Sequence, residues 1–343
     1  MTGVLAVRLD SDGDVLLTGP AVRALGALSD VDLLVSPAGR QAAALLPGVR
    51  DVAVFDAPWS GLSPAPVDAG EISELVNRLG AARYERAVVF TSFHQSPLPM
   101  ALVLRLAGVP VVAATSEDYP GTLLDVRHRR PDGLHEVEAA LSLAHAAGGS
   151  LPPGDDGRPA VRTPLPDVSR LVPRARYVVV HPGASVPSRA PSQDQAREIV
   201  TGLADAGWAV LVTGGPTETG LTADVAGASP AAVDLGGRTS LAELAGVLAG
   251  ADAVVVGNTG PAHLASAVGT PVVSLFSPVV PADRWAPFGV PHVLLGDQGA
   301  ACAGSRARIC PVPGHPCLTS VTAAQVVAAV DALARASREE VVA

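Results

Sequence analysis

The sequence predicts a two-domain α/β protein built on parallel sheets, and three observations carry that expectation. Its 343 residues exceed the roughly 250 to 300 at which a single hydrophobic core stops growing. Short β-branched runs alternate with Ala- and Leu-rich stretches of helical period, the βαβα order of a parallel sheet covered on both faces. The alternation stops at a Pro/Gly-rich stretch near the middle of the chain and restarts beyond it.

In the first half the spacing predicts strands at 4–9, 31–36, 52–55, 86–90 and 109–113, with helices at 15–28, 40–46, 71–79 and 98–107. Residues 148–176 are aperiodic and include Leu151-Pro152-Pro153-Gly154-Asp155-Asp156-Gly157, a composition that suits an inter-domain linker. Strands are then expected at 177–180, 208–213, 232–234, 253–256 and 271–276, with helices at 192–206, 217–226, 240–249 and 261–268. The domains fall at 1–165 and 166–320, with a closing helix in 321–343 that crosses back toward the first domain. Two such domains facing each other leave a cleft lined by the carboxyl ends of both sheets, where open α/β sheets bind ligands.

Composition narrows the function. With 48% hydrophobic and 17% charged residues the chain can bury a full core. A net charge of −9 argues against a nucleic-acid partner, which calls for a basic face. No run approaches the roughly 18 apolar residues of a membrane span, and the opening residues lack the basic region of a signal peptide. A cytoplasmic protein is therefore expected, with peripheral contact to a membrane left open. All 24 basic residues are Arg, which fits codon bias and carries no chemistry.

Four strand-to-helix turns hold the candidate chemistry. The first strand runs into Asp10-Ser11-Asp12-Gly13-Asp14. One Gly does not make a Gly-x-Gly-x-x-Gly fingerprint, so pyrophosphate binding is not expected there. A carboxylate at a strand's carboxyl end can take a proton from an attacking hydroxyl, and Asp14 is read either as such a general base or as a plain helix cap. The second domain opens with His181-Pro182-Gly183-Ala184-Ser185-Val186-Pro187-Ser188-Arg189, where Ser185 and Ser188 offer hydroxyls and Arg189 a fixed cation suited to a diphosphate. An ordinary Ser-capped loop is the competing reading.

In Gly214-Gly215-Pro216-Thr217-Glu218 the carboxylate either accepts from ribose hydroxyls or merely favours a helix N-terminus. The most informative stretch is Gly257-Asn258-Thr259-Gly260-Pro261-Ala262-His263. There a buried strand meets a helix whose free N–H groups and positive end make a phosphate cradle. His263, one turn in, is expected beside the same anion.

Five segments in order resemble the heptosyltransferase-like proteins of glycosyltransferase family 9: Arg8 to Val15, His181 to Ser185, Thr213 to Glu218, Thr239 to Leu244 and Gly257 to Leu264. The resemblance implies a GT-B fold of two facing Rossmann-like domains and an inverting, metal-independent transfer from a nucleotide-diphosphate sugar. It implies Asp14 as base, with Ser185, Arg189, Asn258, Thr259, Gly260 and His263 around the donor diphosphate. Glu218 and residues 239–241 would face the ribose and base. The acceptor is a glycan or another hydroxyl compound, and no cofactor is implied.

Two departures stand out. Asn258 occupies the place where the family usually has Asp before Thr-Gly, in a motif one residue short, and the loop after Ser188 reads Arg-Ala-Pro where two basic residues, Trp and Pro are usual. Nucleotide-sugar 2-epimerases share a similar layout, and a non-catalytic sugar-nucleotide binder would tolerate both departures. Cys302, Cys310, Cys317 and His315 offer the ligand types of a zinc site, but no Cys-x-x-Cys pair is present and no metal is expected. The segment 115–133, with Arg127, Arg129 and Arg130, either meets an anionic acceptor or is solvated, and His94 is equally open.

Overall fold

A computed structural model describes residues 3–61 and 63–342, with the side chains of 339–342 left aside. The outermost residues of the expected first and last segments, 1, 2 and 343, thus lie outside the described residues. Contacts divide the chain into two compact units, Met1–Arg162 and Thr163–Ala343.

The first unit contains β1 (Val4–Arg8), α1 (Asp12–Leu25), β2 (Val31–Val35), α2 (Arg40–Leu45), β3 (Val49–Val54) and α3 (Ala69–Ala82), followed by β4 (Arg86–Phe90), α4 (Leu98–Leu106), β5 (Val111–Thr115), β6 (Val126–His128) and α5 (Glu136–Ala146). Its sheet has the order β3-β2-β1-β4-β5-β6, parallel throughout. The second unit contains β7 (Tyr177–His181), α6 (Gln193–Asp205), β8 (Ala209–Val212), α7 (Thr219–Ala226), β9 (Ala232–Asp234), α8 (Leu241–Ala249) and β10 (Ala253–Gly257). It continues through α9 (Gly260–Ala267), β11 (Val272–Leu275), α10 (Ala282–Trp285), β12 (His292–Leu295), α11 (Pro316–Thr319) and α12 (Ala323–Val342). Its sheet order is β12-β11-β10-β7-β8-β9, again parallel.

Renumbered within its own unit, the second sheet repeats the order of the first. Both are the 3-2-1-4-5-6 arrangement of a doubly wound α/β fold, which reverses direction between its first and fourth strands. The switch points therefore lie between β1 and β4 and between β7 and β10. These four strands are almost wholly buried, which is why they read as continuous apolar runs rather than alternating ones.

Each unit has its own core. Leu5, Val7, Val89, Met100 and Leu104 belong to one; Val180, Ile199, Val212, Val255 and Val330 belong to the other. The closing helix α12 packs against α6 and touches β10, β11 and β12, all in the second unit. The expected helix at 71–79 is longer, because Asp68 accepts a hydrogen bond from Glu71 N at 2.9 Å and caps α3 earlier. Strands β6 and β12 and helix α5 lie outside the expected set. The two strands are edge pieces of three and four residues, too short for a period to show. Among the described residues no helix is long and apolar enough to cross a membrane.

Candidate functional site

At the first unit's switch point the register sets Arg8 beside Phe90, so the turns that follow β1 and β4 leave the sheet side by side. Arg8 is the charged end of an otherwise apolar strand and is buried. Its guanidinium spans both turns: Nε lies 2.8 Å from Asp10 Oδ2, and Nη2 donates to Asp14 Oδ1 at 3.0 Å and to Ser92 Oγ at 2.9 Å. Burial works against this charge, and the Asp10 and Asp14 carboxylates outweigh it, so Arg8 stays cationic. Asp10 also accepts from Gln95 Nε2 at 2.6 Å, and Gln95 Oε1 accepts from Ser92 N at 2.9 Å, which closes the network. Burial pushes the Asp10 carboxyl up, against the pull of Arg8, and burial likewise raises Asp12.

Asp14 occupies the third position of α1. Its Oδ2 accepts from Ser11 Oγ at 2.8 Å and lies 3.4 Å from Ser11 N, reaching back as a capping-box residue does. Its side chain keeps 21% of its surface exposed. Asp14 thus closes the helix start and keeps a partly exposed carboxylate at the switch point. The sequence motif contained Arg8, but nothing local marked it as the group that ties Asp10, Asp14 and Ser92 together.

At the second unit's switch point His181 pairs in register with Val256, which sets the 182–189 turn beside 257–260. His181 Nδ1 and Thr213 Oγ1 are 3.0 Å apart, and Nε2 lies 3.8 Å from Glu218 Oε2. Burial lowers the His181 pKa while Glu218 opposes the shift. Glu218 Oε2 accepts from Gly215 N at 2.7 Å. A Cβ on Gly183 would stand 1.9 Å from Glu218 Oε1, so that glycine is what lets the carboxylate lie against the turn. Ser185 stands in the same turn, between Gly183 and the 3₁₀ turn Pro187–Arg189.

Thr259 caps α9 by position but not by side chain. Its backbone is extended and its hydroxyl makes no cap bond. Thr259 Oγ1 is buried without a hydrogen-bond partner among the described residues, a state that costs about 1–3 kcal/mol when nothing fills it. Gly260 and Pro261 open the helix and His263 is buried one turn in. Asn258 behaves differently from its neighbours. Its Nδ2 donates to Ser277 O and its Oδ1 accepts from Ser277 N, both at 3.2 Å. The amide thus ties the end of β10 to the segment after β11.

Outside these turns, Cys302 and Cys317 are buried in the second core, and burial pushes the Cys317 thiol up. Cys310 Sγ lies 3.4 Å from Val312 O, and His315 Nε2 lies 3.1 Å from Ser188 O. No group of three or more His, Cys, Asp or Glu is arranged to hold a metal ion among the described residues. Arg127 donates to the carbonyls of Ser116 and Glu117, and Arg130 pairs with Glu136 at 2.6 Å, so both brace their own segment while Arg129 is exposed. Phe93 and His94 meet edge to face at 5.4 Å.

The chain thus carries two doubly wound parallel sheets of one topology, one with the Asp14 turn at its switch point and the other with the Thr259–Gly260 helix start. The sequence pattern of glycosyltransferase family 9 (heptosyltransferase) matches residues 72–313. Lipopolysaccharide heptosyltransferase 1 of Pseudomonas aeruginosa is 30% identical over 320 residues, covering 90% of this chain and 87% of its own. The chain belongs to glycosyltransferase family 9. Among solved structures, ADP-heptose lps heptosyltransferase II of E. coli superposes with a TM-score of 0.76 at 20% identity, over 98% of this chain and all of that one. The E. coli heptosyltransferase WaaC with ADP-2-deoxy-2-fluoro heptose gives 0.71 at 23% identity, over 96% of this chain and 99% of its own.

Proposed function

We propose that this protein moves a heptose or related sugar from a nucleoside-diphosphate donor to a hydroxyl of a glycan acceptor, inverting the anomeric centre without a metal ion. The buried, unbonded hydroxyl of Thr259 carries the reading. A capping residue that leaves its own helix start open suits an anion that takes both the hydroxyl and the positive end of α9. Gly260 and His263 flank that anion, and Ser185 and Arg189 approach it from the turn after β7. Glu218, fixed through Oε2, offers Oε1 to ribose hydroxyls. Asn258 contributes by holding the cradle's floor.

Asp14 accepts the proton of the acceptor hydroxyl as that oxygen bonds to the anomeric carbon. The bond from that carbon to the diphosphate oxygen breaks in the same displacement, and the nucleoside diphosphate leaves with its electron pair. Arg189 and the α9 helix start meet the charge that grows on the leaving group, the task otherwise given to a metal ion. Heptosyltransferase II of E. coli is named for ADP-heptose, so that donor is the first to test. Family membership favours transfer over the epimerase reading.

Calorimetric titration with ADP, GDP, UDP and dTDP tests the donor site, and at least one should bind. Arg189→Ala should weaken that binding by about 1.5–3 kcal/mol, the range of a charge-assisted contact. A wild-type protein indifferent to all four would remove the donor assignment.

A further inference from the structure

The loop between β12 and α11 belongs to neither sheet edge, yet it takes up every polar group of one buried residue in the other half of its unit. Ser188 N donates to Arg308 O at 3.0 Å. Ser188 Oγ donates to Ala307 O at 2.5 Å. Ser188 O lies 3.1 Å from His315 Nε2, across 127 residues of sequence. A carbonyl oxygen only accepts, so His315 must carry a proton on Nε2, which both its cation and one neutral tautomer do. Ser188 is 1% exposed, so these partners cannot be replaced by bulk water.

The residue after Ser188 is Arg189, and its own carbonyl packs closely against Gly257 at the end of β10. A Cβ on Gly257 would stand 2.3 Å from Arg189 O. The turn is therefore clamped on one side by the loop and seated on the other against the tip of β10, immediately before Asn258, Thr259 and Gly260. His315 itself adopts a left-handed backbone, φ 51°, which a residue with a Cβ rarely takes without support from its surroundings. That support comes from the turn it initiates, where Leu318 N and Thr319 N both donate to His315 O at 3.1 Å.

We propose that His315 is a positioning residue for the sugar-nucleotide site: by donating to Ser188 O it holds the Ser188–Arg189 turn against the β10 tip and sets where Arg189 meets the donor diphosphate. The inference rests on the reading of Arg189 as a donor contact. Loss of the imidazole leaves two of the three Ser188 bonds intact. The unit stays folded while the turn gains freedom, and binding falls because the cation is no longer pre-organised.

The test titrates wild type, His315→Ala, His315→Gln and Arg189→Ala with ADP, GDP, UDP and dTDP, with circular dichroism as the check on folding. His315→Ala should bind the preferred nucleotide about three- to tenfold more weakly, the effect of one net hydrogen bond. His315→Gln carries an N–H donor of similar reach and should stay within about twofold of wild type. A role in folding alone would appear instead as lost structure in the circular dichroism of His315→Ala. Unchanged affinity in His315→Ala beside a weakened Arg189→Ala overturns the positioning role, and so does equal loss in the Ala and Gln variants. Unchanged affinity in Arg189→Ala overturns the donor reading itself, as does a wild-type protein that binds none of the four.

Discussion

A carboxylate that closes a helix and one that accepts a proton need different things, and the proposed mechanism asks both of Asp14. Capping needs only an acceptor near the free N–H groups, which Asn supplies about as well as Asp. Proton transfer needs a basic oxygen that a hydroxyl can reach, which the partial exposure of Asp14 allows and an amide cannot provide. Asp14→Asn should therefore lower transfer by about 10² to 10⁴ while leaving nucleotide affinity almost unchanged, and it should lower the melting midpoint, because the buried Arg8 loses one of its two carboxylates. Rates and affinities measured on the same variant decide it. If turnover survives, Asp14 is only a cap, and Asp10 becomes the next candidate, since it shares the Arg8 clamp and burial pushes its carboxyl up.

At the level of elements, the strands that carry the site were legible and their mutual ties were not. β1, β4, β7 and β10 show as β-branched runs because both of their faces are covered, and the turns after them stand out by small polar residues. Helix α1 begins at Asp12 rather than Val15, because the acidic turn is its first turn with Ser11 at the N-cap position. Arg8 to Ser92, Asn258 to Ser277 and His315 to Ser188 join residues 84, 19 and 127 apart. No local pattern encodes such pairings.

The Asn258 pairing also gives a physical account of the missing Asp before Thr-Gly. Ser277 presents one donor and one acceptor, and only an amide matches both. Asn258→Asp keeps the bond from Ser277 N but sets a buried carboxylate against Ser277 O, at a cost of about 1–3 kcal/mol. The nearby start of α9 returns about 0.3–1 kcal/mol to a negative charge, so the variant should be less stable overall. Urea denaturation would show it. A midpoint equal to wild type would mean that the amide pairing is not what holds Asn at this position.

The two units repeat one topology, and the proposed chemistry divides between them. Every proposed donor contact lies in Thr163–Ala343, whereas Asp14 lies in Met1–Arg162. The second unit has a complete six-stranded sheet, its own apolar core and α12 packed on α6, which is what a domain needs to fold alone. Its Ser188–His315 brace and Asn258–Ser277 tie are internal as well. A fragment of residues 163–343 should therefore be folded by circular dichroism and bind the preferred nucleoside diphosphate within about threefold of the whole chain, a difference of under 1 kcal/mol. It should transfer no sugar, because the proposed base is on the missing unit. A folded fragment that binds no nucleotide, beside a whole chain that does, would show that the donor site needs residues from the first unit.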